Sequence, residues 1–404
     1  FTAVSQMWIQ GRVYWRRPDV LIFINGLPMV FVELKNSIVK VEEAYNDNLK
    51  NYLRDIPNLF AFNQICVLSN GLETRLGAFN ATYNHFFEWL KVDSEKERPD
   101  RQALKEAGTV GESSVRYFID GLLQKGRLID YIENFIMFRN QKNKIIAKNH
   151  QYFGVNNLME SVKNRAELQG KLGVFWHTQG SGKSFSMVFF ARKVRRKISG
   201  NFTFLIITDR EDLDDQIHKN FVKTEVIGQK EECQPKNGKQ LRAYLQTNKS
   251  FIFTLIHKFR YDKGKKYPVL STRDDIIVLV DEAHKMISQL SGEVMRRLNP
   301  ACVIEFTATP VESNVLYRVF PSRLKAEEMV KLPFNVAEHP SWEEAVLRAV
   351  ETRKTLAGLA AKDERYIRPL VLFQAEKKNQ SCTVDKLKRF LLDHDIPAAE
   401  IAVA

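Results

Sequence analysis

The sequence predicts an α/β protein, and two observations carry that expectation. From residue 174 onward, short apolar runs alternate with stretches of helical periodicity, as in a parallel sheet whose strands are joined by crossover helices. Ahead of that, an apolar run at residues 20–24, the dipeptide Asn25-Gly26 and a second apolar run at residues 29–34 read as a β-hairpin. The chain has 404 residues, 44% of them hydrophobic and 27% charged, which is enough for two or three cores. The expected domains are residues 1–122, 123–335 and 336–404.

Taken in order, the hairpin leads into a helical stretch at 39–53, and 65–68 is a strand ending at Ser69-Asn70-Gly71. Residues 93–113 are polar and charged and read as a linker or exposed loop. One helix is expected over 122–139, bridging into the next unit. Strands are expected at 173–176, 202–208, 250–254, 276–280 and 302–307, with helices such as 184–197 and 213–221 between them. Beyond Pro310 the pattern is indistinct until a helix at 341–360. Residues 369–374 then read as the first strand of a further α/β domain, with 383–394 as its helix. No internal repeat is evident.

Composition narrows the class of function. No run of 18 or more apolar residues occurs, so no membrane span is expected. Cys66, Cys233, Cys302 and Cys382 are scattered and form no CxxC pair, as expected of core residues in a reducing cytoplasm. The net charge of +13 favours a polyanionic partner, although a merely basic enzyme would look the same by charge alone.

Three motifs point to nucleotide chemistry. Trp176-His177-Thr178-Gln179-Gly180-Ser181-Gly182-Lys183-Ser184 follows a strand and opens a helix, the setting in which glycines let backbone N–H groups wrap a phosphate. Lys183 would reach the β- and γ-phosphates of ATP, and the Ser184 hydroxyl would complete a Mg²⁺ shell. His177 stands where the strict pattern has glycine. Next, the apolar run 276–280 ends in Asp281-Glu282-Ala283-His284. Asp281 would hold Mg²⁺ through water, Glu282 would polarise the attacking water, and His284 could couple nucleotide state to the next strand. Finally, the run 302–306 ends in Thr307-Ala308-Thr309-Pro310, whose Thr307 and Thr309 hydroxyls could relay hydrolysis outward.

A second kind of chemistry is indicated at the front. Arg17-Pro18-Asp19 followed by Glu33-Leu34-Lys35 fits the PD-(D/E)xK pattern of metal-dependent nucleases. Two carboxylates would bind Mg²⁺, with Asp19 and Glu33 as its ligands, while Lys35 would stabilise charge at the scissile phosphate. Glu33 and Lys35, two apart on a strand, share one face. A two-residue turn would set Asp19 opposite Val32, on the wrong face, whereas an odd residue count would set it opposite Glu33. Pro28 argues against the tight connection. The plainer alternative is an exposed hairpin end with a solvated Glu–Lys pair. On the following helix, Asn48 and Tyr52 share a face at i and i+4.

Together these motifs resemble the motor and endonuclease (R) subunit of type I restriction enzymes, a superfamily-two helicase-like translocase joined to a PD-(D/E)xK nuclease. The resemblance implies a restriction-endonuclease-like α/β domain followed by RecA-like parallel-sheet domains, the second only begun. It implies ATP and Mg²⁺ as cofactors, ATP-dependent translocation and cleavage of double-stranded DNA, and methyltransferase and specificity subunits as partners in the cytoplasm. It also implies that Gln151, in Asn149-His150-Gln151, recognises adenine. Related nucleases carry Gln-x-x-x-Tyr where this chain has Asn48 and Tyr52, so Tyr52 matches and Asn48 departs. The start at Phe1 and the stop after Ile401-Ala402-Val403-Ala404 lead us to expect a piece of a longer protein, whose motor would be incomplete. The alternatives are a type III-like or stand-alone defence helicase-nuclease, and a motor with a non-catalytic DNA-binding front domain.

Overall fold

The computed structural model describes residues 1–92, 114–177, 181–259, 269–281, 289–307, 315–319, 337–362, 367–376 and 382–402. The chain forms two compact units, Phe1–Lys331 and Leu332–Ala404. The first contains two six-stranded sheets.

The front sheet is built from β1 (Thr2–Ser5), β4 (Val20–Ile24), β5 (Leu27–Leu34), β6 (Ile65–Ser69), β7 (Thr74–Gly77) and β8 (Phe87–Glu88), in that spatial order. Its pairs are antiparallel except β5 with β6. A small hairpin of β2 (Ile9–Gln10) and β3 (Trp15–Arg16) lies between β1 and β4 in the chain. The turn between β4 and β5 is the tight two-residue connection that Pro28 argued against. Asn25 and Gly26 have φ of 50° and 80°, left-handed at both central positions, so the turn's twist matches that of the strands. Pro28 is tolerated because it sits opposite Phe23 beside a β-bulge and before the stretch of β5 that pairs with β6.

Alternation divides the front sheet's side chains between two cores. Leu21, Phe31, Cys66 and Leu68 pack against the helical run over the sheet, formed by α1 (Val41–Glu43), a π-helical turn (Ala44–Leu49) and α2 (Lys50–Asp55). Val30, Val32, Ile65 and Val67 join the other core, with Phe118 of α3 (Ser114–Gly121) and Leu128 and Tyr131 of α4 (Lys125–Asn134). That second core continues without a break into the other sheet. The expected linker at 93–113 lies outside the described residues.

The single helix expected over 122–139 is a correction. The α4 helix ends at Asn134, and β9 (Ile136–Arg139) turns back through Asn140 and Gln141 to pair with β10 (Asn143–Ile146). Phe135 leaves the helical region at φ −120°, ψ 10°, and Ile136 and Met137 bury in the shared core. The apolar residues there satisfy a helical or an extended reading equally, and the tertiary contacts decide.

The second sheet is wholly parallel. Its order is β13 (Phe251–Leu255), β12 (Thr203–Thr208), β14 (Ile276–Asp281), β15 (Cys302–Thr307), β11 (Lys171–His177) and β16 (Val315–Val319). On one face α5 (Asn149–Lys163), α6 (Lys183–Lys197) and α7 (Glu211–Lys223) contribute Leu158, Val188, Phe189 and Phe221. On the other, α8 (Gly238–Gln246) and α9 (Gln289–Leu298) cover Ile207, Ile276 and Val278. Strands buried on both faces explain the continuous apolar runs in the sequence. The five strands expected between 173 and 307 are present within two residues of their bounds.

In the second unit, α10 (Trp342–Ala360) starts where Ser341 Oγ accepts from Glu344 N at 3.2 Å, and α11 (Val384–Asp393) packs Leu387 and Leu391 near Val346. The strand expected at 369–374 is not formed: among the described residues no ladder includes it, and Leu370 and Leu372 are 81% and 94% exposed. A strand without a neighbour cannot satisfy its backbone in a sheet. No helix among the described residues is long and apolar enough to cross a membrane.

Candidate functional sites

The first site grows from the bulge in the front hairpin. Ile24 pairs with Leu27 and Phe23 with Pro28, but Ile22 pairs with Val30, so Met29 is the extra residue. One residue changes the parity. Val20 then faces Val32, and the next pair along is Asp19 with Glu33. The Leu34 N–H donates to Asp19 Oδ2 at 2.8 Å, which fixes that carboxylate at the strand end. Asp19, Glu33 and Lys35 therefore lie together on the face that α2 covers.

Glu33 is 3% exposed. Asn48 Nδ2 donates to its Oε1, and the Tyr52 hydroxyl donates to the same oxygen at 3.5 Å. Its Oε2 is buried with no hydrogen-bond partner. Burial and then the nearby Asp19 carboxylate push its pKa from 4.5 up to about 8, with Lys35 pulling the other way. An acidic pair in that state is short of positive charge, and a divalent cation fits it. Among the described residues no cluster of three or more His, Cys, Asp or Glu is poised to hold a metal, so such a cation would rely on this pair and other oxygens. Asn48 stands against Glu33 although it departs from the glutamine expected at its position. The π-helical turn across Ala44–Leu49 adds a residue to that stretch and accompanies the reach of the shorter amide.

The second site lies at the carboxyl edge of the parallel sheet. Register sets Trp176 beside Thr307 and Asp281 beside Phe306, so the ends of β11, β14 and β15 meet at one edge. Lys183, at the start of α6, reaches Asp281 with 3.2 Å between Nζ and Oδ1, across the intervening β15. Ser181, Asp281 and Thr307 are buried, while Ser184 is half-buried in the first turn of α6. Gly182 has φ of 84°, a left-handed conformation, and a Cβ there would come within 3.0 Å of Gln151 Nε2. The left-handed backbone favours glycine at 182, and the Gln151 amide would have to shift to admit a Cβ.

Gln151 is drawn against this loop. Its Nε2 donates to the Gly182 carbonyl at 3.2 Å and its Oε1 accepts from Lys148 N at 3.0 Å. His150, fully buried, donates through Nε2 to the Ser181 carbonyl at 2.9 Å. The only sign of His150 in the sequence is its place beside Gln151. Gln179, Gly180, Glu282, His284 and Thr309 lie outside the described residues.

Comparison with known proteins matches two stretches of the chain to families. Residues 150–327 match the SWI2/SNF2 ATPase family, and residues 1–85 match the type I restriction enzyme R protein N terminus family. The chain thus carries an ATPase domain behind an R-protein N-terminal region. It is 36% identical over 338 residues to the type I restriction enzyme HindI endonuclease subunit of Haemophilus influenzae. It is 33% identical over 331 residues to a putative type I restriction enzyme MjaIXP endonuclease subunit of Methanocaldococcus jannaschii. Those matches take in 77% and 76% of this chain but only 31% and 30% of the relatives' lengths. Among solved structures, a nuclease-deletion mutant of the type ISP restriction-modification enzyme LlaGI with a DNA substrate mimic gives a TM-score of 0.32 at 14% identity, covering 54% of this chain and 23% of that one. That likeness is too slight to bear on the fold. The chain is thus similar to the endonuclease subunits of type I restriction enzymes and spans about a third of the length of the relatives it matches.

Proposed function

We propose that this chain is the nuclease and leading motor portion of a restriction subunit that uses ATP to move double-stranded DNA and cuts it with a Mg²⁺-dependent nuclease. The observation that carries the nuclease half is the bulge at Met29, which brings Asp19 into register with Glu33. Asp19 and Glu33 would hold the cation, which supplies Lewis acidity and an activated water when bound. Lys35 lies two residues along the same face and faces the developing charge of the scissile phosphate. Tyr52 and Asn48 hold Glu33 in place from α2 and the turn before it. In the motor, the backbone at Gly180, Ser181 and Gly182 would wrap the phosphates, with Gln179 ahead of them in the loop. Lys183 would leave Asp281 for the β- and γ-phosphates, and Ser184 and Asp281 would share the nucleotide's Mg²⁺. Glu282 would orient the attacking water. His284, Thr307 and Thr309 would pass the nucleotide's state to the DNA side, and Gln151 would sense its adenine end.

In the proposed setting, methyltransferase and specificity subunits supply sequence recognition in the cytoplasm. The test is Asp19→Ala in the full-length enzyme assembled with those subunits. DNA cleavage is expected to vanish with ATP hydrolysis retained. Cleavage at the wild-type rate would remove the nuclease assignment and favour a non-catalytic front domain.

A further inference from the structure

The short hairpin before Asp19 is held firmly yet presents its largest side chains to solvent. Ile9 packs into the core beneath α2. A Cβ at Gly11 would lie 2.1 Å from the Asp55 carbonyl oxygen, so the chain passes directly over the end of α2. Arg16 Nε donates to Asp55 Oδ2 at 2.8 Å, and Gln6 N donates to the Asp19 carbonyl at 2.8 Å. Above these anchors Trp8, Tyr14 and Trp15 are 60%, 56% and 55% exposed. Exposing three large rings on a fixed hairpin is costly for a surface with no partner.

The rings alternate with positive charge. The Arg17 guanidinium lies 5.2 Å from the centre of a Trp8 ring, Arg16 lies 5.7 Å from that of Tyr14, and Arg12 is exposed at the hairpin's tip. Arg17 is two residues from Asp19, so the two Cα atoms are at most about 7 Å apart. The Tyr52 hydroxyl shares its one proton between Glu33 and the Arg17 carbonyl, 3.4 Å away, which ties the hairpin to the residue that also touches Glu33.

We propose that Trp8, Tyr14 and Trp15, with Arg12 and Arg17, form a stacking platform for unpaired bases of DNA next to the carboxylate pair. Aromatic faces accept any base, and guanidinium groups between them hold the backbone phosphates. A protein partner of ordinary charge would leave Arg12 and Arg17 without counter-charges, whereas a nucleic-acid strand supplies one at every step. The platform deepens the nuclease reading, on which its role in presenting a strand for cutting rests. Its contribution is to hold a frayed or displaced strand so that a phosphate reaches Asp19, Glu33 and Lys35.

The experiment uses the 404-residue chain carrying Asp19→Ala, so that binding is read without cutting and independently of whether Asp19 is catalytic. A single-stranded oligodeoxynucleotide containing 5-iododeoxyuridine is photocrosslinked, and the adducts are mapped by mass spectrometry. Adducts at Trp8, Tyr14 or Trp15 are expected. In parallel, Trp8→Ala and Trp15→Ala are each expected to weaken oligothymidylate binding about ten-fold. Trp8→Phe and Trp15→Phe should restore most of it, and a blunt duplex should be affected less than two-fold. Thermal unfolding of each variant confirms the fold. Adducts confined to other segments, or wild-type oligothymidylate affinity in the double Trp8→Ala, Trp15→Ala variant, would overturn the proposal. So would an equal loss for the blunt duplex.

Discussion

Replacing Glu33 by glutamine should stabilise the metal-free protein, and increasingly so as pH rises from 5.5 to 8.5. In the fold the Glu33 carboxyl is buried beside Asp19, and its pKa rises from 4.5 to about 8. Between those two values the folded chain holds a proton that the unfolded chain has released. Stability therefore falls as pH rises through this window, by about 1.4 kcal/mol per unit from this one group. From pH 5.5 to pH 8.5 the loss sums to about 3 kcal/mol, less whatever relaxation and water entry recover. Glutamine keeps the shape and stays neutral, so Glu33→Gln escapes the loss. The assay is thermal unfolding of both proteins in EDTA at the two pH values. The midpoints should nearly coincide at pH 5.5 and favour Glu33→Gln by several degrees at pH 8.5. Adding Mg²⁺ at pH 8.5 should raise the wild type and leave the variant almost unmoved. A difference of the same size at both pH values, or no gain in EDTA at pH 8.5, would refute the reasoning.

Other outcomes follow from the same geometry. Gly182→Ala forces a left-handed alanine at about 1–2 kcal/mol and crowds Gln151, so nucleotide affinity measured with a fluorescent ATP analogue should drop about ten-fold or more. Lys183→Ala removes the proposed phosphate ligand and the cation beside buried Asp281, and a coupled ATPase assay should find no turnover. Trp89 is fully buried and packs edge-on to Tyr131 and Tyr152 where the front sheet meets the parallel sheet. Trp89→Ala should cost about 3–5 kcal/mol, seen as a lowered unfolding midpoint of the first unit.

Much of this was legible from sequence because the signals were local. The parallel strands declare themselves as apolar runs long enough to be buried on both faces, and among the described residues Lys183 and Asp281 follow at their ends. The hairpin was legible from Asn25-Gly26, but its register was not. Parity depends on one extra residue at Met29, and a bulge leaves no mark in composition or periodicity. Pro28 suggested a looser turn when it was in fact accommodated by that bulge. The role of Asn48 was obscured for a similar reason, since a π-helical turn alters its reach without altering the apolar pattern. The strand expected at 369–374 had the right composition, yet strand formation needs a neighbour, which no single segment can reveal.

We propose that one chain holds two separable centres, a cutting site at Asp19, Glu33 and Lys35 and an ATP site at Lys183 and Asp281. The most direct measurement follows DNA cleavage and ATP hydrolysis on the same preparations of the assembled full-length enzyme bearing Lys35→Ala or Lys183→Ala. The account predicts that Lys35→Ala hydrolyses ATP at the wild-type rate without cutting, and that Lys183→Ala does neither. Undiminished cleavage by Lys35→Ala, or sustained hydrolysis by Lys183→Ala, would contradict it.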